Sequence, residues 1–405
     1  MAAQPHEIVV TGVGVVSPVG VGAEAFWNAV VSGTAGTHEL TLFDTSGYHT
    51  HRAGEVKGWE GETDRGESLS RSESFALAAT GMALHDAGLL PGLESAHDPK
   101  RVGVCFGMAA GNRPAIERPL RSRGGWSGPA RTAHDPTRIS RLVARAHGLD
   151  GPNLMMLTAC AAGNSAVGHG MELIRAGRAD AMVVGGAEEL SETLFMMFNR
   201  FRALAPERVQ PFDRDRRGLM LAEGAGVLVL ESGHLAKARR AGVYGRVAGY
   251  GNLPDAHDMT APHPGGHGIA RSMRAALAMA GVEPADLDYI CAHGTGTPTN
   301  DAAEAVAIRE VLGPAADDVP VSSIKSMLGH SLGAAGAIES VACLLAMRDG
   351  MIPPNMHLDN QDPRCEIRVA ANRPLARRMD VVLNNSFGFG GNNSCVVFTA
   401  REPSR

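Results

Sequence analysis

The strongest constraint on the fold is a unit that occurs twice. Residues 154–158 form an apolar run, followed by a polar loop at Ala159 and Cys160, an Ala/Gly-rich helical stretch at 162–175 and a second apolar run at 181–187. Residues 319–323, a loop through 325–330, a helical stretch at 333–348 and the run 351–354 repeat that order in similar proportions. A repeat with a period near half the chain points to a duplicated domain. The seam falls near residue 240, at Arg239-Arg240-Ala241-Gly242. A chance likeness between two ordinary α/β halves is the alternative.

The rest of the chain keeps the same rhythm. Strands are expected at 8–16, 102–106, 154–158, 181–185, 226–231, 244–250, 289–292, 319–323, 381–385 and 394–399. Helices are expected at 71–87, 162–175, 268–280, 301–311 and 333–348. Short apolar strands alternating with longer helices predict an α/β fold with buried sheets.

Several functions are set aside early. A net charge of −5 gives no reason to expect nucleic-acid binding. No apolar run reaches the ~18–20 residues a membrane span needs, and the apolar start at 8–16 lacks a basic leader. Six cysteines without a CxxC pair make no disulfide framework, which suits a reducing cytoplasm. The glycines between 12 and 22 lack dinucleotide spacing, and there is no P-loop. His263 and His267 straddle Pro264-Gly265-Gly266, which cannot present them on one helical face. No metal and no cofactor is expected. Residues 111–145 are irregular and rich in arginine: Arg113, Arg118, Arg121, Arg123, Arg131, Arg138, Arg141 and Arg145. A helix is expected to resume near 136–147. The segment is read either as a solvated loop or as a docking rim for an acidic partner.

Cys160 stands where an apolar strand turns into a helix, in LTACAAGNS. A thiol there would feel the positive end of the helix dipole, which lowers its pKa. Cys105, Cys343 and Cys395 sit inside apolar runs and read as core. Two histidines offer partners. His293 lies in YICAHGTGTPTND, just after a strand, with Thr295 and Thr297 beside it. His330 lies in PVSSIKSMLGHSLGAAG, five residues after Lys325. Sites in α/β proteins collect at the C-terminal ends of strands, so both loops point to a common pocket.

With these motifs in hand, the chain resembles the β-ketoacyl-ACP synthases of the thiolase-like superfamily. The likeness is to the KAS II type and to the ketosynthase-α subunits of type II polyketide systems. TAC at 158–160, HGTGT at 293–297, KSMLGH at 325–330 and NSFGFGG at 385–391 occur in the family's order. The resemblance implies two duplicated halves in an α-β-α-β-α layered core, with residues 1–240 carrying the nucleophile and 241–405 both histidines. It implies that Cys160 accepts an acyl chain, and that His293 and His330 promote malonyl decarboxylation through Nε–H donors. Lys325 and Glu304 would form a supporting charged pair. Phe389, with Phe387 beside it, would be a gate, and the amides of Cys160 and Phe389 an oxyanion hole. Thr295 and Thr297 would line the pantetheine channel.

The partners implied are acyl- and malonyl-loaded acyl carrier protein, docked on Arg200 and Arg202, and a second subunit: either another copy or a chain-length-factor-like chain. The acyl pocket departs from the family. GMAAGN at 107–112, with Met108 and Ala110, replaces a segment bearing a branched residue. This predicts a roomier pocket and favours polyketide or unusual fatty-acid assembly over housekeeping elongation. Competing readings are a non-elongating acyltransferase or hydrolase, a non-catalytic chain-length subunit, which would lack Cys160, and a thiolase, which would carry a second cysteine near the C-terminus.

Overall fold

The computed structural model describes residues 7–400 apart from 61, 62, 65, 66, 110, 112, 114–116, 118–134 and 136. Ten strands carry its central sheet: β1 (Ile8–Ser17), β2 (Val102–Gly107), β3 (Asn153–Met156), β4 (Ala181–Glu188), β5 (Gly224–Ser232), β6 (Gly245–Pro254), β7 (Tyr289–Cys291), β8 (Val321–Ser322), β9 (Val381–Gly388) and β10 (Asn392–Thr399). Every expected strand is present, with ends that move by a few residues. The main helices are α1 (Ala23–Val31), α2 (Arg71–Asp86), α3 (Arg138–His147), α4 (Ala162–Arg175), α5 (Glu192–Arg200), α6 (His267–Ala280), α7 (Pro298–Leu312) and α8 (Ala335–Asp349). α1 and α5 are additional to the expected helices.

The strand order is β8-β7-β9-β10-β6-β1-β5-β4-β2-β3, with the two-residue strand Gly20–Val21 added on β1. Read outward from the β6·β1 join, the halves match strand for strand. In each, two antiparallel pairings (β1·β5 and β5·β4; β6·β10 and β10·β9) give way to two parallel ones (β4·β2 and β2·β3; β9·β7 and β7·β8). The first strand of each half also carries a register shift, between Val10 and Gly12 in β1 and between Val247 and Gly249 in β6. Just past each bulge a G-x-G lets a helix backbone approach closely. A Cβ on Gly12 or Gly14 would lie 2.2 or 2.0 Å from carbonyls of α2, and one on Gly249 or Gly251 would lie 2.1 Å from carbonyls of α6. The duplication is thus written into the packing, and it explains the early glycines without a nucleotide.

Helices and sheet stack in five layers. α2 and α3 cover the outer face of the first half, and α6 and α7 that of the second. Between the halves lie α4 and α8, each touching strands of both. α8 is buried along Ala335–Ala346 on every side, which a helix can sustain only between two apolar surfaces. Val167, Met171, Leu228, Tyr250, Ile338, Leu344 and Phe398 share the core there, each large side chain contributing ~1.5–3 kcal/mol by leaving water. α2 begins on a capping box, with Ser70 Oγ accepting from Glu73 N–H and Glu73 from Ser70 N–H. No helix among the described residues is long and apolar enough to cross a membrane.

Candidate active site

Four loops leave the C-terminal ends of β3, β7, β8 and β9 and meet at one cavity of about 410 Å³. Cys160, His293, His330, Phe387 and Phe389 all line it, together with Thr295 and Thr297.

Cys160 lies in a 3-10 turn, Ala159–Ala161, that feeds directly into α4. Ala159 opens that turn at φ +50°, a strained conformation for a side-chain-bearing residue that is typical of functional corners. The same device recurs in the second half, where Leu332 at φ +47° opens the turn Leu332–Ala334 into α8. Ser386 Oγ donates to the Cys160 carbonyl at 2.9 Å. Gly388 packs so closely that a Cβ there would lie 2.8 Å from the Cys160 nitrogen, which sets the Gly388–Phe389 segment against the nucleophile's amide. One expectation fails. Burial pushes the Cys160 thiol up to about 12, against the opposing pull of the Lys325 charge, which favours a thiol over an acidified thiolate. Deprotonation therefore needs a base.

Two imidazoles share its cavity. His293 and His330 stand edge to face with ring centroids 5.1 Å apart, and both are buried. Burial first, and the nearby Lys325 ammonium second, hold both well below the ordinary histidine range, so each ring is neutral. Neither Nδ1 has a hydrogen-bond partner among the described residues. Phe387 packs its ring edge-on to His293 at 5.5 Å.

The supporting charges differ from those expected. Lys325 is buried and donates to Glu339 of α8, not to Glu304. Glu304 instead accepts from the amides of His293 and Gly294, each at 2.8 Å, and from Asn385 Nδ2 at 3.2 Å. It therefore orients the histidine's backbone. Burial raises both carboxyls to about 7. Glu339 belongs to none of the sequence motifs, yet it is the one charged residue in the buried run 335–346 of α8, and an acid in such a place needs a partner.

Phe389 begins the turn Phe389–Gly391 between β9 and β10 and stacks on Phe198 of α5 at 5.6 Å and 28°. Gly390, at φ +79°, donates its N–H to the Met259 carbonyl at 2.8 Å, tying this turn to the exposed 254–266 loop. Thr295 and Thr297 share a hydroxyl hydrogen bond of 2.9 Å on the cavity wall.

The expected acyl-pocket residues fare less well. Met108 is buried among Phe106, Val183 and Ala187, away from the cavity; its neighbour Ala109 shares the apolar cluster of Cys160 with Leu190, Leu194, Phe195 and Phe198. Both residues follow the end of β2, where the chain turns Met108 into the core and leaves Ala109 against the nucleophile's cluster. Ala110 lies outside the described residues, as do Arg118, Arg121, Arg123 and Arg131. Of the remaining arginines in that stretch, Arg138 pairs with Glu73 and Arg141 with Asp135, Arg145 has a partner as well, and Arg113 is exposed. Arg200 and Arg202 are both exposed, and only Arg202 reaches the cavity. Although no helical face holds them, the rings of His263 and His267 meet at 4.5 Å, because a turn closed by Gly266 N–H to His263 O folds the chain back. No group of His, Cys, Asp or Glu among the described residues is arranged to hold a metal.

Known proteins resemble this chain over nearly its whole length. Residues 6–236 match the family model described as Beta-ketoacyl synthase, N-terminal domain, and residues 244–359 the one described as Beta-ketoacyl synthase, C-terminal domain. The chain is 38% identical over 420 aligned positions to the tetracenomycin polyketide synthase ketoacyl synthase alpha subunit of Streptomyces glaucescens, covering 98% of each chain. It is 35% identical to 3-oxoacyl-[acyl-carrier-protein] synthase 2 of Staphylococcus aureus, covering 98% of this chain and 99% of the relative. Among solved structures, the ishigamide ketosynthase/chain length factor superposes with a TM-score of 0.93 at 36% identity, over 98% of this chain and 100% of that one. A type II polyketide synthase ketosynthase, solved with its acyl-carrier protein and bound to the hexaketide, superposes at 0.91 and 34% identity, with the same coverage.

Proposed function

The chain belongs to the beta-ketoacyl synthase family, and from that premise we propose that it is a 3-oxoacyl-[acyl-carrier-protein] synthase of polyketide or fatty-acid assembly. The observation that carries the reading is one thiol and two neutral imidazoles on the wall of a single cavity, reached by four loops from both halves of the fold.

The chemistry runs in two stages. Cys160 sulfur attacks the thioester carbonyl of an acyl group on the carrier. Its proton passes by way of a neutral imidazole to the departing carrier thiolate, leaving an acyl-Cys160 thioester. Malonyl on a second carrier then loses CO₂, and the electron pair of the broken bond forms an enolate. Nε–H donors of His293 and His330 stabilise its oxygen. The enolate carbon attacks the acyl-Cys160 carbonyl, and the cysteine sulfur leaves as a thiolate and takes one proton from solvent. Amides at Cys160 and Phe389 serve as the oxyanion donors of both acyl-transfer steps, each donor accounting for ~10²–10³ in rate. Neutral rings suit this work, since an imidazolium would not take the thiol proton and a metal is not required for the enolate. Lys325, paired with Glu339, lowers the proton affinity of both rings; Glu304 fixes the His293 backbone.

The remaining assignments follow the same reading. Thr295 and Thr297 line the path of the pantetheine arm, Phe389 against Phe198 gates the acyl side, and carrier protein docks at the rim near Arg200 and Arg202. The protein works in the cytoplasm as a dimer, of two copies or with a chain-length-factor-like subunit, and the seam between its halves lies near residue 240. The test is intact-protein mass spectrometry with a panel of acyl carriers: the native chain gains one acyl group, and Cys160→Ala gains none while keeping its fold. Acylation of the alanine variant would sink the assignment. Loading followed by hydrolysis, with no condensation, would identify a non-elongating acyltransferase instead.

A further inference from the structure

The rim of the cavity carries two guanidiniums that nothing in the described structure neutralises. Leu204 and Leu219 form a parallel bridge, reinforced by Leu219 N–H to Ala203 O at 2.9 Å and Ala205 N–H to Leu219 O at 2.7 Å. Two residues before each bridged leucine stands an arginine, Arg202 and Arg217. Both are exposed, both line the cavity, and neither makes an ion pair or side-chain hydrogen bond with a described residue.

The position of Arg217 is set by its neighbours. Gly218 N–H donates to Gly296 O at 3.0 Å, which fastens the segment between Thr295 and Thr297. The preceding Arg216 is buried and donates to the carbonyls of Thr297 and Pro298, at 3.2 and 3.0 Å, and to Asp362 at 2.6 Å. Arg217 is therefore held beside the threonine pair on a rigid support. Among the described residues the only carboxylate lining the cavity is Asp255; its oxygens accept from Asn393 Nδ2 and the His263 amide, each at 2.9 Å, and it forms no ion pair with either arginine. The first turn of α7 also lines this wall, and its N-cap Thr297 makes no side-chain cap. Two like charges that line one cavity, with no ion-pair partner among the described residues, repel. The arrangement favours a bound anion, and planar guanidinium forks suit phosphate oxygens.

We propose that Arg202 and Arg217 clamp the phosphodiester of the carrier's phosphopantetheine arm, an inference that rests on the carrier-thioester reading above. The clamp fixes how far the arm enters and thus brings its thioester to Cys160. It separates recognition of the arm from recognition of the carrier protein's own acidic surface.

The experiment compares acyl transfer to Cys160 from two small thioesters, acyl-phosphopantetheine and acyl-pantetheine, which differ only by the phosphate. The native enzyme is expected to favour the phosphorylated donor by about tenfold in kcat/KM, the size of one or two exposed charge-assisted contacts. Arg217→Gln and Arg202→Gln should each collapse that ratio toward one, and 0.5 M salt should do the same to the native enzyme. Arg214→Gln, the same charge change on an exposed neighbour, should keep the ratio. A ratio near one in the native enzyme, or an unchanged ratio in Arg217→Gln, overturns the clamp. A defect of Arg217→Gln seen only with whole carrier protein overturns it too, in favour of a protein carboxylate as the anion. Failure of both donors to acylate Cys160 would instead strike at the condensing-enzyme reading itself.

Discussion

Gly388→Ala puts the geometry around the nucleophile to a sharp test. Gly388 sits at φ −136°, a conformation alanine adopts freely, so the substitution acts through space alone. The new Cβ would lie 2.8 Å from the Cys160 nitrogen, 3.2 Å from Ala159 Cβ and 3.3 Å from the Ala161 nitrogen. Ordinary contact begins at 3.4 Å, so the Gly388–Phe389 segment and the cysteine turn must separate by about 0.6 Å. Overpacking of this kind costs ~1–3 kcal/mol of stability. The larger effect is on rate. A 1 Å misplacement of reacting groups costs ~10²-fold and loss of one oxyanion donor ~10²–10³-fold, so a 0.6 Å retreat of the Phe389 amide should slow acyl transfer about 10- to 100-fold. Rapid-quench mass spectrometry of acyl-Cys160 measures that step. Alkylation by iodoacetamide, which makes no oxyanion, measures access to the same sulfur and should change less than threefold. Acylation within threefold of the native rate would refute the placement of these amides. Equal losses in acylation and alkylation would mean that the sulfur itself had moved.

Other consequences can be checked more briefly. Because burial pushes the Cys160 thiol up to about 12, its alkylation in the empty enzyme should rise about tenfold per pH unit from 7 to 9; a plateau within that range would contradict a buried thiol. Glu339→Gln leaves the Lys325 ammonium buried without its partner, which should cost ~3–5 kcal/mol, whereas Lys325→Met with Glu339→Leu should recover most of it in urea unfolding while remaining impaired in condensation. Burial pulls Glu231 up, but Arg239, His97 and Thr11 outweigh it and hold the carboxylate at about 2. A depressed carboxyl stabilises the fold above its unfolded value near 4.5 and loses that effect as the pH falls toward 2, a difference of ~3 kcal/mol. Glu231→Gln should therefore weaken the protein at pH 7 and flatten its acid response between pH 4.5 and 2; parallel urea-stability profiles for the two proteins would disprove this.

How much of this was legible in the chain depended on the range of the interaction. Strands showed themselves because their apolar runs are local, and the nucleophile and both histidines because each follows such a run. Pairings across the chain did not show. Lys325 has a buried glutamate on either side of it in the chain, Glu304 and Glu339, and only the packing of α8 against the Lys325 loop selects Glu339. The acidity of Cys160 departs from the expectation because the strand-to-helix turn is visible in sequence while the apolar residues that close over it, from α5 and the 190–221 region, are not. Arg217 drew no notice among 38 basic residues; what singles it out is the bond between Gly218 and Gly296, two loops far apart in the chain.

The two matched turns, Ala159–Ala161 and Leu332–Ala334, also fix a stoichiometry. The second turn offers Gly333 where the first offers Cys160, and a Cβ on Gly333 would lie 2.3 Å from the Ala109 nitrogen and 2.5 Å from the Met108 carbonyl carbon. No side chain can be accommodated there, so the second half cannot be given a nucleophile of its own by point substitution. The paired turns thus supply one nucleophile per polypeptide, and a saturating acyl titration should end at one label per chain however many copies assemble.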